Sequence, residues 1–343
     1  MLSKRLRRLL ASLIAVPALL LVAAPLASAA PPTKLRIGII LASGVESDWE
    51  GSFIGDLEKV KKEAPHGLDI SYKYSDPLWG DDAGDAMKLY AQSGQYDIIW
   101  AHSSYSDQVK VLQQQFPNIM FVVVGSGNEG LGANQYWDYK RVHEPAYLLG
   151  VLAGKSTKSG VIGAVGTYPA DDVNDEINAF FAGAKSVNPA LKTKVAFIES
   201  WYDPAKAAEY TSAQISTGAD AILTLAGNFK PCEQAKIICF GNFRDDYQQS
   251  PSILSSTIAT WTPDIHWIVD EWYKHESDGT PFTGNTDNKH WYAMKDGGSD
   301  VAPLHGRESM VPADAVKAFE EAKADILSGK LVVPLDVSDP SGK

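Results

Sequence analysis

Short runs of branched apolar residues alternate with helical patterns, and the alternation occurs twice. The first block opens with Leu35, Ile37, Ile39, Ile40 and Leu41, broken only by Arg36 and Gly38. A near-continuous apolar run bounded by turn residues is the signature of a strand buried on both faces of a parallel sheet. Phe53, Leu57 and Val60 then recur at helical spacing. Further strands are predicted at Leu68–Tyr72, Tyr96–Trp100 and Asn118–Val124, with helices at Ala83–Ala91 and Gln108–Gln115 between them. Strands separated by helices of this length make βαβ units and a parallel sheet.

Asn128–Tyr139 is rich in Gly, Asn and aromatics and has no period, and Asn134–Tyr136 is expected to be a first crossing between lobes. After the apolar helix Glu144–Ala153 the alternation restarts. Strands are predicted at Val161–Val165, Lys194–Ile198, Ala219–Leu225, Ile237–Phe240 and Ile253–Ala259. Asn174–Ser186 and a segment opened by Pro204 read as helices, the proline standing where a missing N–H costs nothing. Asp264–Tyr273 reads as a helix returning to the first lobe, His290–Met294 as a late strand, and Pro312–Ser328 as an amphipathic terminal helix. The expected division is 30–133 with 261–287 in one lobe and 134–260 with 288–343 in the other.

The first 29 residues stand apart. Lys4, Arg5, Arg7 and Arg8 precede the apolar run Leu9–Leu26, which ends in Ala27-Ser28-Ala29. This is the pattern of a secretory signal peptide cleaved after Ala29, so an exported, periplasmic protein is expected. Acidic residues number 42 against 31 basic ones, and four of the basic residues lie in the leader. Such a chain will not track phosphate backbones, which argues against nucleic acid. Cys232 and Cys239 fit either a disulfide or two buried thiols, and no histidine at ligand spacing makes them a zinc site. No cofactor or metal is expected.

In an open α/β sheet, ligands bind beyond the carboxyl ends of the strands. The first such loop carries Glu46, Asp48 and Trp49; the third strand leads to His102, Ser103 and Tyr105. In the second block, Tyr168, Trp201, Tyr202, Asn228, Asn242 and Trp261 follow strands. Two rows of such loops make a clam whose cleft both rows line. Trp and Tyr serve as amphipathic contact surfaces, and carboxylates, amides and hydroxyls meet a ligand's polar edge. The acidic pairs Asp171-Asp172 and Asp245-Asp246 are also candidates for the cleft, though adjacent residues diverge and such pairs commonly cap loops. Gly154-Lys155-Ser156-Thr157 follows an apolar helix with three rather than four residues between Gly150 and Gly154, so a phosphate loop is set aside for a Gly154 helix cap and a polar turn.

Several segments together resemble one family: Ile177–Phe180 through Ser186–Pro189, Ser200–Pro204 followed by Lys206, Gln214–Asp220, and the tail from Val311-Pro312 through Ile326–Lys330. They are similar to the basic membrane protein family of solute-binding proteins, which serve ABC importers. The resemblance implies a type I periplasmic-binding-protein fold, two Rossmann-like lobes joined by three crossings, and a monomer that delivers a small molecule to an inner-membrane permease. It implies a purine nucleoside or base as ligand, with the base stacked between Trp49 and Trp201 or Tyr202 and polar contacts from Ala101–Tyr105, Asn228 and Asn242. The sequence departs from the family where the ribose would sit. Gly241–Asp245 has no clear match for the family's Asp, and Ala259 stands where its Lys would be. A free base is therefore expected over a nucleoside. A cationic aromatic solute is the alternative within the class, and a nucleoside hydrolase the alternative outside it.

Overall fold

The computed structural model describes residues 30–75, 77–284 and 290–342. The expected leader, and the expected lobe boundary at 287/288, lie outside them. In chain order the elements are β1 (Lys34–Ile40), α1 (Asp48–Glu63), β2 (Asp69–Tyr74), α2 (Gly80–Ser93), β3 (Ile98–Ala101), α3 (Ser106–Gln115), β4 (Met120–Val124) and β5 (Gln135–Asp138). The second series is α4 (His143–Ser156), β6 (Val161–Gly166), α5 (Asp171–Val187), β7 (Lys192–Phe197), α6 (Pro204–Ser216), β8 (Ala221–Thr224), α7 (Lys230–Ala235), β9 (Ile238–Gly241) and β10 (Ile253–Ala259). The chain ends with α8 (Thr262–Asp278), β11 (Ser299–Val301) and α9 (Ala313–Leu327).

These strands form two sheets. The first, ordered β2-β1-β3-β4-β5, is parallel throughout. The second, ordered β11-β10-β9-β8-β6-β7, is parallel except for β11, which runs antiparallel to β10. Both faces of each sheet are covered, which is why the strands read as continuous apolar runs rather than alternating ones. In the first sheet, Leu35, Ile37 and Ile39 pack with Phe53 and Leu57 of α1 and with Ile265 and Ile268 of α8. On its other face, Ile40 and Ile99 pack with Met87 of α2 and Val109 of α3. The helix predicted at Asp264–Tyr273 thus returns to the first sheet as expected.

Two sequence expectations are corrected here. Asn134–Tyr136 is not a crossing, because Gln135–Asp138 pairs in register with β4 as an edge strand of the first sheet. The late strand at His290–Met294 is a single bridge from His290 to Asp138, followed by a tight turn at Met294–Asp296. Gly154 is a third correction. It lies inside α4 and does not cap it, since the helix runs on to Ser156. A Cβ at Gly150 would collide with the Phe180 carbonyl, and one at Gly154 with the carbonyl of Ala184. The glycines let the backbones of α4 and α5 touch, at the expense of some helix propensity. Cys232 and Cys239 form a disulfide that ties α7 to β9, both sulfurs being fully buried.

The chain passes between the sheets at three places, and one side chain binds all three. Lys140, just after β5, is fully buried. Its ammonium donates to the Thr260 carbonyl at 2.8 Å, to Asp264 at 2.5 Å and to the Gly298 carbonyl at 3.4 Å. Asp138 lies in the same pocket, and burial, then the neighbouring Asp264 carboxyl, push its pKa well above the usual range. Lys140 also stands 4.8 Å over the ring of Trp261.

Candidate functional site

The loop after β1 is held by the side chains of Ser47 and Glu50. Ser47 caps α1, its hydroxyl accepting from the Glu50 N–H. The Glu50 carboxylate reaches back to the Ser43 N–H at 2.8 Å and the Ser43 hydroxyl at 2.6 Å, and also takes the Ser47 hydroxyl. Ser47-Asp48-Trp49-Glu50 is the S-x-x-E pattern that satisfies free donors at a helix start. Its consequence is positional: Asp48 and Trp49, in the first turn of α1, face the gap between the sheets.

A narrow cavity lies in that gap, partly open to solvent. The first sheet contributes Ser43, Asp48, Trp49, Ser103, Gly125 and Ser126. The second contributes Thr167, Asp172, Trp201, Tyr202, Asn242 and Phe243. Both tryptophans expected to stack a ligand therefore line one cavity from opposite sides. The charged residues around it are Asp48, Glu50 and Asp172, and among the described residues its lining holds no Lys, Arg or His.

Trp49 is fixed from behind and from across the gap. Its ring meets Trp261 edge-on at 4.9 Å and Phe243 at 5.1 Å, and its indole N–H donates to the His102 carbonyl at 3.3 Å. Trp261 is fully buried, with its own N–H on Ser52 at 2.9 Å. It supports the Trp49 platform and does not line the cavity, contrary to expectation. His102 is likewise behind the site, stacked on Phe53 at 4.1 Å and accepting from the Trp100 N–H at 3.1 Å. Burial pushes its pKa down to about 3, so it stays neutral. Tyr105 is buried too, its hydroxyl spent on the Leu78 carbonyl at 2.6 Å. Asn228 holds the Pro204 carbonyl at 2.8 Å and borders a surface groove with Phe229 and Lys230. These four expected ligand contacts fail for one reason: a residue just past a strand end either faces the gap or turns back to satisfy a neighbouring element.

The remaining expectations fall at the gap or its mouth. Ser103 lines the cavity. Glu46 and Tyr168 stand at the opening beside Trp79, with Tyr168 edge-on to Trp201 at 4.8 Å. Asn242 is buried; its side-chain oxygen accepts from the Thr257 hydroxyl at 2.6 Å, while its Nδ2 has no partner.

Four contacts join the sides across the gap. Arg244 Nε pairs with Asp48 at 2.5 Å, and Arg244 Nη2 donates to the Glu46 carbonyl at 3.1 Å. Phe243 meets Trp49, and the Ser126 N–H donates to Asp172 at 3.3 Å. Burial raises the Asp48 pKa to about 6 against the pull of Arg244. Burial and then Asp48 raise that of Asp246, 3.5 Å from Arg244, to about 8. Arg244 was not singled out in the sequence, where nothing marks a lone arginine 198 positions from the Glu46 carbonyl it meets.

A family profile described as ABC transporter substrate-binding protein, PnrA-like, matches residues 43–235. The chain belongs to that family. It is 31% identical over 303 residues to a purine-binding protein of Brucella abortus, covering 87% of this chain and 82% of the relative. It is 27% identical to the ABC transporter nucleoside-binding protein BmpA of Lactococcus lactis, covering 88% of this chain and 90% of that one. A solute-binding protein of an ABC transporter system from Aeropyrum pernix K1 superposes with a TM-score of 0.71 at 16% identity, over 88% of this chain and 94% of that one. The expected type I periplasmic-binding-protein fold is thus the fold observed. Members of the PnrA-like family bind solutes for ABC transporters and are not enzymes, so the hydrolase alternative falls away. No helix among the described residues is long and apolar enough to cross a membrane.

Proposed function

We propose that this protein captures a purine base in the gap between its lobes and delivers it to an ABC permease. The observation that carries the reading is Trp49 and Trp201 on opposite sides of one cavity. A flat ring between two indoles gains roughly 1–3 kcal/mol per stacked face, largely without regard to its substituents. Polar selectivity must then come from the rim, because a polar edge left unpaired in a dry cleft is costly. The absence of cations from the described lining disfavours a phosphate, so a nucleotide is a poor ligand. The relatives named for purine and nucleoside binding support the same ligand class.

The closing lobes are taken as the two sheets with their helices, α8 moving with the first sheet. Ligand touching both sides favours the closed population in proportion to its differential affinity for it. A cationic aromatic amine is the second reading, favoured by Asp48 and Asp172 in a cavity lining without Lys or Arg. Calorimetric titration of protein refolded free of ligand separates the two. Adenine, guanine or hypoxanthine binding well above adenosine, AMP and tryptamine supports the purine-base reading, and tryptamine binding alone replaces it.

A further inference from the structure

The three carboxyls around the cavity differ in what already occupies them. Glu50 is filled by Ser43 and Ser47, and Asp48 carries Arg244. Asp172 has no cation partner among the described residues. It accepts the Ser126 N–H at 3.3 Å on one oxygen and its own Val173 N–H at 3.1 Å on the other. Burial and then the Asp171 carboxyl raise its pKa, while the hydrogen bonds from Ser126 oppose them; the carboxylate form has about four acceptor positions, so Asp172 keeps capacity for a ligand.

Its place is also particular. Gly125 has φ +79°, and a Cβ built there would lie 3.3 Å from Asp172 Oδ2 and 3.7 Å from Trp49 Cζ2. A side chain there would crowd both groups, so the bare glycine leaves them room, and Asp172 stands near the benzo edge of the Trp49 indole. A ring lying on Trp49 turns its rim toward this carboxylate. Asn242, on the same cavity, has a buried Nδ2 with no partner. A buried donor without a partner costs free energy that a ligand acceptor would recover.

We propose that Asp172 and Asn242 together read the rim of the stacked ring, Asp172 accepting a ligand N–H and Asn242 Nδ2 donating to a ring nitrogen or oxo group. The inference rests on the proposed ligand site. It restricts the ligand to heteroaromatics that carry an N–H donor and an acceptor on the rim, and it makes Asp172 the residue that sets the preference. Its carboxylate reaches the gap from α5, on the opposite lobe from Trp49, so the reading is complete only when the lobes are together.

The test is calorimetric titration of adenine, unsubstituted purine and 9-methyladenine into wild type, Asp172→Asn and Asn242→Leu. Purine lacks the exocyclic amino group and 9-methyladenine lacks the ring N–H. Wild type is expected to bind one of these analogues at least tenfold more weakly than adenine. Asp172→Asn keeps one acceptor oxygen but loses the charge and should shrink that ratio several-fold, and Asn242→Leu should weaken all three while keeping it. Thermal melts confirm that each variant is folded; should Asp172→Asn not fold, Asp172→Ser takes its place. An adenine-to-analogue ratio that is unity in wild type, or unchanged in the Asp172 variant, overturns the inference while leaving purine binding intact. Failure of wild type to bind any purine overturns the ligand reading itself.

Discussion

Replacing Arg244 by methionine removes the cation that holds Asp48 from the opposite lobe. The pair is short, 2.5 Å, and Asp48 is nearly covered, but the Arg244 side chain is 37% exposed. An exposed pair is worth about 0–1 kcal/mol and a broken buried pair costs about 3–5 kcal/mol, so solvent screening places this one at about 1–2 kcal/mol. That energy belongs to the closed state, because the partners sit on different lobes. The closed-to-open ratio, and with it the apparent affinity, should fall by about 5- to 30-fold at pH 8. The pH dependence of this loss is distinctive. The Asp48 pKa already stands at about 6 and that of Asp246 at about 8, burial being the main cause of each. Without Arg244, closing at pH 8 strands ionised Asp48 in the gap, whereas at pH 5 the carboxyl is protonated and closing strands no charge. The variant-to-wild-type affinity ratio should therefore be far from unity at pH 8 and close to it at pH 5. Calorimetry at both pH values, with scattering measurements of the radius of gyration, provides the assay. Equal affinity at pH 8, or an equal loss at both, refutes the reasoning.

Trp49→Ala should weaken ligand binding by about 5- to 150-fold, the loss of one stacked face at ~1–3 kcal/mol, with a fold still cooperative in thermal melts. Fluorescence titration checks it, and unchanged affinity removes the stacking role. Lys140→Met leaves Asp264 and Asp138 buried without their cation where the three crossings meet, and should cost about 3–5 kcal/mol in urea unfolding. A stable variant would show that the three crossings do not depend on it. Asp246, Asp138, Asp175 and Glu176 all have pKa values raised by burial, so the folded chain binds more protons than the unfolded one between their ordinary and raised values. Stability from these groups is present at low pH and lost as pH rises, so Tm should fall from pH 5 to pH 8, and Asp246→Asn should flatten the slope. A Tm rising across that window contradicts the assignment.

The architecture was legible because burial on both faces writes itself into a strand as an unbroken apolar run. Ile253–Ala259 begins and ends where its pattern does, and Pro204 opens α6. The misplacements have local causes. α5 starts at Asp171, three residues before the expected Asn174, which moves Asp172 from an apparent loop cap into the cavity. Glu50 was not singled out in the sequence, although the S-x-x-E spacing from Ser47 marks it as a cap partner. Trp49 and Trp201, which line the cavity, stood out in the sequence because strand-end aromatics are conspicuous. Trp261, His102 and Tyr105 were equally conspicuous, and only three-dimensional packing reveals that Trp261 and His102 support the platform from behind while Tyr105 packs on the other face of the first sheet. Lys140 and Arg244 carried no local signal at all. Lys140 meets Asp264, 124 positions away, and no periodicity reports such a contact.

The central claim is that a flat ligand lies between indoles supplied by opposite lobes. A crystal structure of the protein saturated with adenine tests it most directly. The account predicts the ring stacked between Trp49 and Trp201, with Arg244 on Asp48 and the lobes closed. Adenine bound at the mouth or outside the gap, with either indole turned away from it, contradicts the account.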